Sequence, residues 1–485
     1  MMFFRKKRYW LTTLIVLVLV AVVVVSIKYQ LPTQLAIGAG WKAKILSSGL
    51  FISGRPEASV LAEDVPIHPL LNLIRSDVEP ARKEVTASFL GLIKNRAVSV
   101  DKLGTILLSG APEASVRAWP VEIPEPQPAD AANVDWPTGD RSAAPGLPAN
   151  VDGKLLDEAV SQGFAETGPE SRLRTRAILV VYDDKIIAER YAPGITAGTP
   201  LIGWSMSKSV TSALTGILVG QGRLSTKDPA PVPEWQAPED ARRAITLEQL
   251  LWMSPGLEWE EEYETKPISD VNMMLFTKPD TAAYAASLPL AAAPGSKFNY
   301  STGTTQIVSR IIRGTFADQK EYLAFPRTAL FNKIGMRSAV VCPDASGTFV
   351  GGAFVFACAR DWARFGLLYL HDGMWGEERI LPEGWVSFTR TPGPASKGIY
   401  GAQFWLNQGE IKGMGVGRLY AEAPRDLFYC AGYQSQLVII IPSRKLVLVR
   451  LGMTTKGEWP MDQFVINVLK AIKEPAAEPS PVIGH

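Results

Sequence analysis

The sequence has little histidine. Its 485 residues include three, His68, His371 and His485. A Ser-His-Asp hydrolase needs a histidine in a motif-like setting, and a zinc hydrolase needs two or three as ligands. His371 lies in LLYLHDG, which favours a surface position at a helix end, and His68 lies in a PIHP loop. We therefore expect no metal site and no imidazole base, so any hydrolytic chemistry must use another base.

Cysteine is equally scarce, with Cys342, Cys358 and Cys430 as the three thiols. Three thiols cannot all pair within the chain, which excludes a disulfide-stapled secreted domain. A single bridge stays open, because spacing alone does not settle it. We expect these cysteines to be buried as small apolar side chains rather than exposed as reactive thiols.

The chain also lacks an excess of charge of either sign. The 50 Lys and Arg residues face 48 Asp and Glu residues, which gives a formal net charge of +2. No basic tract follows the first eight residues, so we expect no nucleic-acid partner. With 47% hydrophobic and 20% charged residues, most of the chain should fold into packed cores.

One long apolar run is present, from Trp10 to Ile27, and a basic cluster at positions 5–8 precedes it. As a helix the run would span about 27 Å, just enough to cross the apolar core of a bilayer. The basic residues predict a cytoplasmic N-terminus, with the rest of the chain on the periplasmic side of the inner membrane. A cleaved signal peptide is the alternative. The length of the run and the lack of a small-x-small cleavage pattern in SIKYQ count against it.

The remaining organisation is predicted from composition and periodicity. We expect a cytoplasmic stub and transmembrane anchor over 1–29, an extracytoplasmic N-terminal region over 30–118, a Pro-rich connector over 119–150, a catalytic domain over 151–473 and a disordered tail over 474–485. Within the N-terminal region, KILSSGLFISGR predicts a short strand and RKEVTASFLGLIKN an amphipathic helix.

The predicted catalytic domain has strands at both ends and helices between them. AILVVYDDKIIAERYA predicts a hairpin that turns at Asp183-Asp184, and QLVIIIPSRKLVLVR predicts another that turns at Pro442-Ser443. SKSVTSALTGILVGQG and ARDWARFGLLYLHDG predict helices. This order indicates an α+β fold, in which the first and last strands meet in one antiparallel sheet and the helices form flanking layers and a lobe.

The strongest chemical signal is the pair Ser205 and Lys208 in WSMSKS, at the start of a predicted helix. Residues three apart share a helix face, so these two side chains can meet. A serine hydroxyl becomes an effective nucleophile when a nearby base takes its proton, and a desolvated lysine with a lowered pKa can be that base. S-x-x-K alone is a weak pattern, which its position after a hairpin and ahead of an apolar helix strengthens.

A second motif indicates a particular family of serine hydrolases. PGSKFNYST, at positions 294–302, is followed by the helical GTTQIVSRII. The order of hairpin, SMSKS helix, PGxxxxYS loop and late strand pair resembles the class C β-lactamase and esterase group, which includes the 6-aminohexanoate-dimer hydrolases. LEQLLWMSPGLEW and FGLLYLHDGMWGEERILPEGW are similar to that group as well. The resemblance covers about residues 155–470, and GLFISGRPEASVLAEDV resembles a segment of its membrane-anchored members.

The resemblance implies the β-lactamase and penicillin-binding-protein fold and a set of roles. Ser205 would be acylated, with Lys208 and Tyr300 as general base and acid. Neighbouring donors would favour the phenolate of Tyr300. The backbone N–H groups of Ser205 and of a residue near Gln436 would form the oxyanion hole. No metal and no organic cofactor is implied.

The sequence departs from the group in two motifs. Thr302 stands where Tyr-x-Asn has its asparagine, and GYQSQ at 432–436 lacks the Lys or His of the third motif. We therefore do not expect β-lactam hydrolysis, and we expect a small neutral ester or amide instead. The expected substrate contacts are Thr302, Tyr433, Gln434 and Ser435.

Two alternatives stay open. One is a penicillin-binding-type peptidase that acts on cell-wall peptides through the same serine. The other is a catalytically inactive, membrane-tethered binding protein on the same fold, which the altered second and third motifs would allow.

Overall fold

The computed structural model describes residues 28–142, 146–409 and 420–473, together with Trp10, Thr13 and Leu17. The basic cluster, most of the apolar run 10–27 and the predicted tail 474–485 lie outside these residues. Among the described residues, no helix is long and apolar enough to cross a membrane. The anchor, the tail and the domain boundaries therefore stay predictions.

Helices and strands both occur throughout the described residues. The helices are α1 (Leu31–Phe51), α2 (Glu57–Glu63), α3 (Glu113–Arg117), α4 (Gly153–Phe164), α5 (Ser207–Gly220), α6 (Leu247–Leu251), α7 (Asp270–Thr277), α8 (Thr281–Ser287), α9 (Thr302–Gly314), α10 (Gln319–Pro326), α11 (Ala359–Leu370), α12 (Trp385–Arg390) and α13 (Met461–Ala471). The strands are β1 (Arg75–Glu79), β2 (Glu84–Phe89), β3 (Ile93–Val100), β4 (Gly104–Leu107), β5 (Thr175–Tyr182), β6 (Lys185–Tyr191), β7 (Leu201–Ile202), β8 (Val340–Val341), β9 (Val355–Ala357), β10 (Met374–Trp375), β11 (Glu378–Arg379), β12 (Trp405–Leu406), β13 (Phe428–Gly432), β14 (Gln436–Ile441) and β15 (Leu446–Gly452).

A six-stranded antiparallel sheet forms the centre of the fold, in the order β12-β13-β14-β15-β5-β6. Both predicted hairpins are confirmed, since β5 pairs with β6 and β14 with β15. Asp183 and Asp184 have φ of 45° and 63° at the first turn, a left-handed conformation that aspartate tolerates. Strands β15 and β5 pair directly, so strands from the two ends of the catalytic part do meet in one sheet.

The central strands are apolar on both faces because helices cover both. In β14, Ile440 packs into the core on the α11 side, while Ile439 and Ile441 pack into a second core beneath α4 and α13. The alternation follows from the two-residue repeat of a strand. The predicted α+β architecture, an antiparallel sheet flanked by helices, is confirmed.

Two predictions in the N-terminal region are wrong. The segment expected as a strand, 44–55, lies mostly in helix α1, where Ser48 finds a buried partner in Thr105, with 2.6 Å between their hydroxyls. The segment expected as a helix, 82–95, is the β2–β3 hairpin. Its turn contains Leu90 and Gly91 at φ of 52° and 71°. Tertiary packing outweighs local propensity in both segments.

Helix α1 lies between the small sheet β1–β4 and helix α7. The approach to α7 is close, because a Cβ on Gly40 would lie 2.0 Å from the carbonyl oxygen of Phe276. Farther along, Arg55 and the β5 residue Arg176 both bind the carboxylate of Asp64. The N-terminal region is thus packed against the part of the chain that carries the S-x-x-K motif.

The scarce residues occupy structural positions. Nε2 of His371 lies 2.6 Å from a carboxylate oxygen of Asp184 at the end of α11, and Nδ1 of His68 accepts a hydrogen bond from a backbone N–H. The cysteines are all buried and free, which confirms the expectation for their side chains; they are Cys342, Cys358 and Cys430.

Candidate active site

Ser205 lies in a single 3₁₀ turn, Trp204–Met206, just before helix α5. The preceding residue, Trp204, has a φ of 48°, which is unusual for a bulky side chain. Aromatic rings surround its indole, with Trp41 stacked on it at 5.5 Å and Tyr433 edge-on at 5.4 Å. Ser207 fixes the exit from the turn, since its hydroxyl donates to the Trp204 carbonyl at 2.6 Å. Packing on both sides therefore holds the serine in one orientation.

Lys208 lies one helical turn after Ser205, and Nζ is 2.9 Å from Oγ of that serine. Nζ also donates to the carbonyl oxygen of Gly352 at 2.9 Å and to the hydroxyl oxygen of Thr302 at 2.8 Å. The side chain is 1% exposed. Burial lowers the pKa of Lys208 to about 8, and the charge of Glu261 acts in the opposite direction. At this pKa about one lysine in ten is neutral at pH 7, and about half are neutral at pH 8.

Glu261 completes a chain of polar groups that sequence reasoning missed. Its carboxylate accepts hydrogen bonds from the backbone N–H of Thr302 at 2.8 Å, from the Thr302 hydroxyl and from the indole of Trp259. Because the Thr302 hydroxyl donates to Glu261, its oxygen is left to accept from Lys208. The signal in the sequence was the acidic stretch EWEEEYE, which reads as an exposed loop.

Tyr300 faces the same centre. Nζ of Lys208 lies 4.9 Å from the centroid of its ring. Burial and then the charge of Glu261 raise the pKa of Tyr300 above its ordinary range, and hydrogen bonds to Ser205 and Trp405 only partly offset the rise. The expectation of a phenolate is therefore wrong, because desolvation and a nearby carboxylate both favour the neutral phenol.

The segment at 432–436 forms the end of β13 and the start of β14, beside the nucleophile turn. Gly432 is required there, because a Cβ would lie 2.1 Å from the carbonyl oxygen of Gly203. Gln434 and Ser435 both have φ near +64°, at 64° and 63°. The guanidinium of Arg450 holds this turn from behind by donating to the carbonyl oxygens of Gln434 and Ser435, each at 2.9 Å.

A cavity of about 540 Å³ opens next to Ser205. It is lined by Ser205, Glu261, Tyr263, Tyr300, Trp405, Tyr420, Tyr429, Ala431, Gly432, Tyr433, Ser435, Leu437, Glu458, Trp459 and Met461. Of the residues expected to contact substrate, Tyr433 and Ser435 are on this wall. Gln434 and Gln436 are buried and do not line it, and the Gln436 amide side chain donates to the carbonyl oxygen of Gly452 at 2.7 Å. Thr302 is buried beneath the wall, where its hydroxyl oxygen accepts a hydrogen bond from Lys208.

No described residue on the cavity wall is Lys, Arg or His. The three donors of the Lys208 ammonium already point at Ser205, Thr302 and Gly352. The missing cation of the third motif is therefore not replaced by another described side chain on this wall.

The antiparallel sheet with its helical lobe, and a serine paired with a buried lysine at the start of a helix, define the class of the serine hydrolases that use lysine in place of histidine. The chain belongs to the β-lactamase family, whose model, Beta-lactamase, matches residues 156–471. It is a serine hydrolase.

Three relatives illustrate the likeness. The 6-aminohexanoate-dimer hydrolase of Paenarthrobacter ureafaciens is 26% identical over 272 residues, which cover 50% of this chain and 67% of that protein. A β-lactamase-like protein of Bacteroides dorei DSM 17855 has 21% identity and a TM-score of 0.52, covering 66% of this chain and 98% of its own. A penicillin-binding protein homologue of Caulobacter crescentus has 15% identity and the same TM-score, 0.52, covering 68% and 99%. The two structures support the fold.

Proposed function

We propose that the chain hydrolyses a small amide or ester through an acyl-enzyme on Ser205, with Lys208 as the general base and Tyr300 as the general acid. The observation that carries the proposal is the set of three contacts around the Lys208 amine. A neutral amine has two N–H groups and one lone pair. The carbonyl of Gly352 and the oxygen of Thr302 take the two N–H groups, so the lone pair points at the Ser205 hydroxyl.

Acylation then proceeds without a histidine. Oγ of Ser205 attacks the substrate carbonyl carbon while its proton passes to Nζ of Lys208. The tetrahedral oxyanion would lie against backbone N–H groups of Ser205 and of the segment 432–436. The phenol of Tyr300 donates a proton to the leaving nitrogen or oxygen and regains one from the Lys208 ammonium. Water releases the acid by the reverse of these proton transfers.

A small amide or ester that needs no cationic subsite is favoured over a β-lactam or a cell-wall peptide. The 6-aminohexanoate-dimer hydrolase among the relatives is named for an amide. The described cavity wall offers no cation to hold the carboxylate that β-lactams and cell-wall peptides carry. Stable labelling of the protein by a fluorescent penicillin would instead support the peptidase alternative.

The first experiment is reaction of the protein with a fluorophosphonate probe, followed by intact mass and peptide mapping. We expect one adduct, on Ser205. Ser205→Ala and Lys208→Ala should lose it, whereas the exposed controls Ser296→Ala and Lys297→Ala should keep it. The absence of any adduct on folded wild-type protein would overturn the proposal and favour the inactive binding protein.

We further propose that residues 10–27 anchor the protein in the inner membrane, with the hydrolase part on the periplasmic side. The support is the sequence itself, an apolar run after the basic cluster at 5–8. Resistance of the protein to alkaline extraction from membranes, with accessibility of the hydrolase part to protease in spheroplasts, is the expected result. Release into the soluble fraction would exclude the anchor.

A further inference from the structure

An aromatic wall leads away from the nucleophile along one side of the cavity. Starting at Tyr300, whose ring is beside Lys208, it continues through Trp405 to Tyr429 and then Tyr420. The successive ring centroids are 5.1, 6.4 and 5.7 Å apart. Trp459 and Met461 line the same cavity. A substrate group at the far end of the cavity therefore lies among aromatic side chains.

Negative charge lies at both ends of this wall. Glu261 is at the end near Ser205, and Glu458 lines the cavity beside Trp459. Asp462 follows at the start of α13. Burial raises the pKa of the Tyr420 phenol, and the charges of Asp462 and Glu458 raise it further, so these two carboxylates act on the ring at the far end.

The two carboxylates differ in their surroundings: Glu261 shares the Thr302 hydroxyl with Lys208 and lies close enough to raise the pKa of that lysine. Glu458 forms no ion pair with a described Lys or Arg, and the lysine nearest to it in sequence, Lys456, pairs with Glu170 instead. Carboxylates at the rim of an aromatic pocket attract cations and repel anions, and an alkylammonium group binds well over the faces of Trp and Tyr.

We propose that the cavity selects an amide or ester that carries a positively charged ammonium group, held between Glu458 and the ring of Tyr420. This inference rests on the proposed function, because it makes the cavity beside Ser205 the substrate site. It replaces the expectation from sequence of a neutral substrate. Sequence reasoning missed it because Glu458 and Tyr420 are separated by 38 residues and meet only when α13 packs beneath the sheet.

The test is a binding experiment with two probes of equal shape. Choline and 3,3-dimethylbutan-1-ol differ by the exchange of a quaternary nitrogen for a carbon, so they separate charge from size. Their dissociation constants are measured by calorimetry on Ser205→Ala, and their inhibition constants against p-nitrophenyl acetate on the wild type. Binding to Ser205→Ala does not depend on acylation, so failure of this inference and failure of the proposed function give different results.

We expect choline to bind about tenfold more tightly than the alcohol, a cation–π and charge effect. Glu458→Gln should reduce that preference several-fold and weaken its salt dependence. The exposed control Glu239→Gln makes the same charge change elsewhere and should leave the preference unchanged. Equal binding of the two probes, or a choline preference that survives Glu458→Gln intact, would overturn the proposal.

Discussion

Trp41 of helix α1 stacks on Trp204, with ring centroids 5.5 Å apart and planes within 15° of parallel. Trp204 is the residue before the nucleophile, and its φ is 48°. This conformation costs on the order of 1–3 kcal/mol, which the packing around the ring must offset. A residue of the N-terminal region therefore supports the turn that presents Ser205.

Trp41→Ala should lower both stability and turnover. Removal of a buried tryptophan costs about 3–5 kcal/mol, and the loss of the stacked ring frees the Trp204 turn. We expect kcat for p-nitrophenyl acetate to fall with little change in KM, and Trp41→Phe to restore most of it. Trp375→Ala, a half-buried tryptophan in the β10–β11 hairpin, is the matched control. An equal loss of kcat in that control would show that Trp41 has no specific role in supporting the Trp204 turn.

Hydrolysis should depend on pH through the amine of Lys208. The lysine accepts a proton only when it is neutral, and its pKa is lowered to about 8. We therefore expect kcat/KM for p-nitrophenyl acetate to rise with pH through a single step near 8 and then to level off. A rate that is flat between pH 6 and 9 would contradict the assignment of Lys208 as the base.

Glu261→Gln should move that step to lower pH. The negative charge of Glu261 favours the ammonium and so raises the pKa of Lys208, which means that its removal must lower it. The measurement is the pH profile of kcat/KM for the variant beside the wild type. Glu258→Gln, at an exposed position on the same loop, should leave the profile where it is. A step that moves to higher pH would show that the charge of Glu261 acts in another way.

Arg450→Leu should disorder the turn at 434–435. The guanidinium is almost fully buried and also donates to the carbonyl of Leu173 at 2.6 Å. Loss of its donors leaves buried carbonyls without partners, at a cost of about 3 kcal/mol or more. Urea unfolding measures the loss of stability. Arg450→Lys should recover only part of it, because lysine keeps a charged donor but lacks the planar fork of the guanidinium. Arg243→Leu is the exposed control.

Asp64→Asn should destabilise the protein by about 3 kcal/mol at pH 7, because it leaves two buried guanidinium groups short of a partner. Burial alone would raise the pKa of Asp64, but Arg176 and then Arg55 outweigh it, and the pKa is lowered. The stabilisation is therefore fully present above the unfolded value of about 4 and is lost as pH falls through the folded value.

Urea unfolding of wild type and variant at several pH values tests this. The difference in free energy of unfolding between them should shrink as the pH is taken below about 4. The control is Asp101→Asn, which breaks the exposed pair with Lys83 and should change stability by less than about 0.5 kcal/mol. A difference that stays constant with pH would contradict the role of the Asp64 charge.

The sequence predicted those parts of the molecule that local pattern determines. Both hairpins of the central sheet and the contact of Ser205 with Lys208 follow from periodicity and from the geometry of one helical turn. The helix α1 did not, because the short apolar pattern of KILSSGLF also fits a strand, and its partners such as Thr105 are distant in sequence. Glu261 was missed for the same reason, since it meets Thr302 across 41 residues of chain.

The order of strands in the central sheet governs how the chain reaches its native state. Strand β15 separates β14 from the β5–β6 hairpin and is made some 264 residues after β5 along the chain. Until it arrives, β5 presents an unpaired apolar edge, and contacts this distant in sequence form slowly. During synthesis the hairpin must therefore wait for nearly the whole chain. A chain that ends before residue 446 lacks β15, so β14 and β5 cannot join in one sheet. The apolar edge of β5 then stays exposed and can pair with other chains.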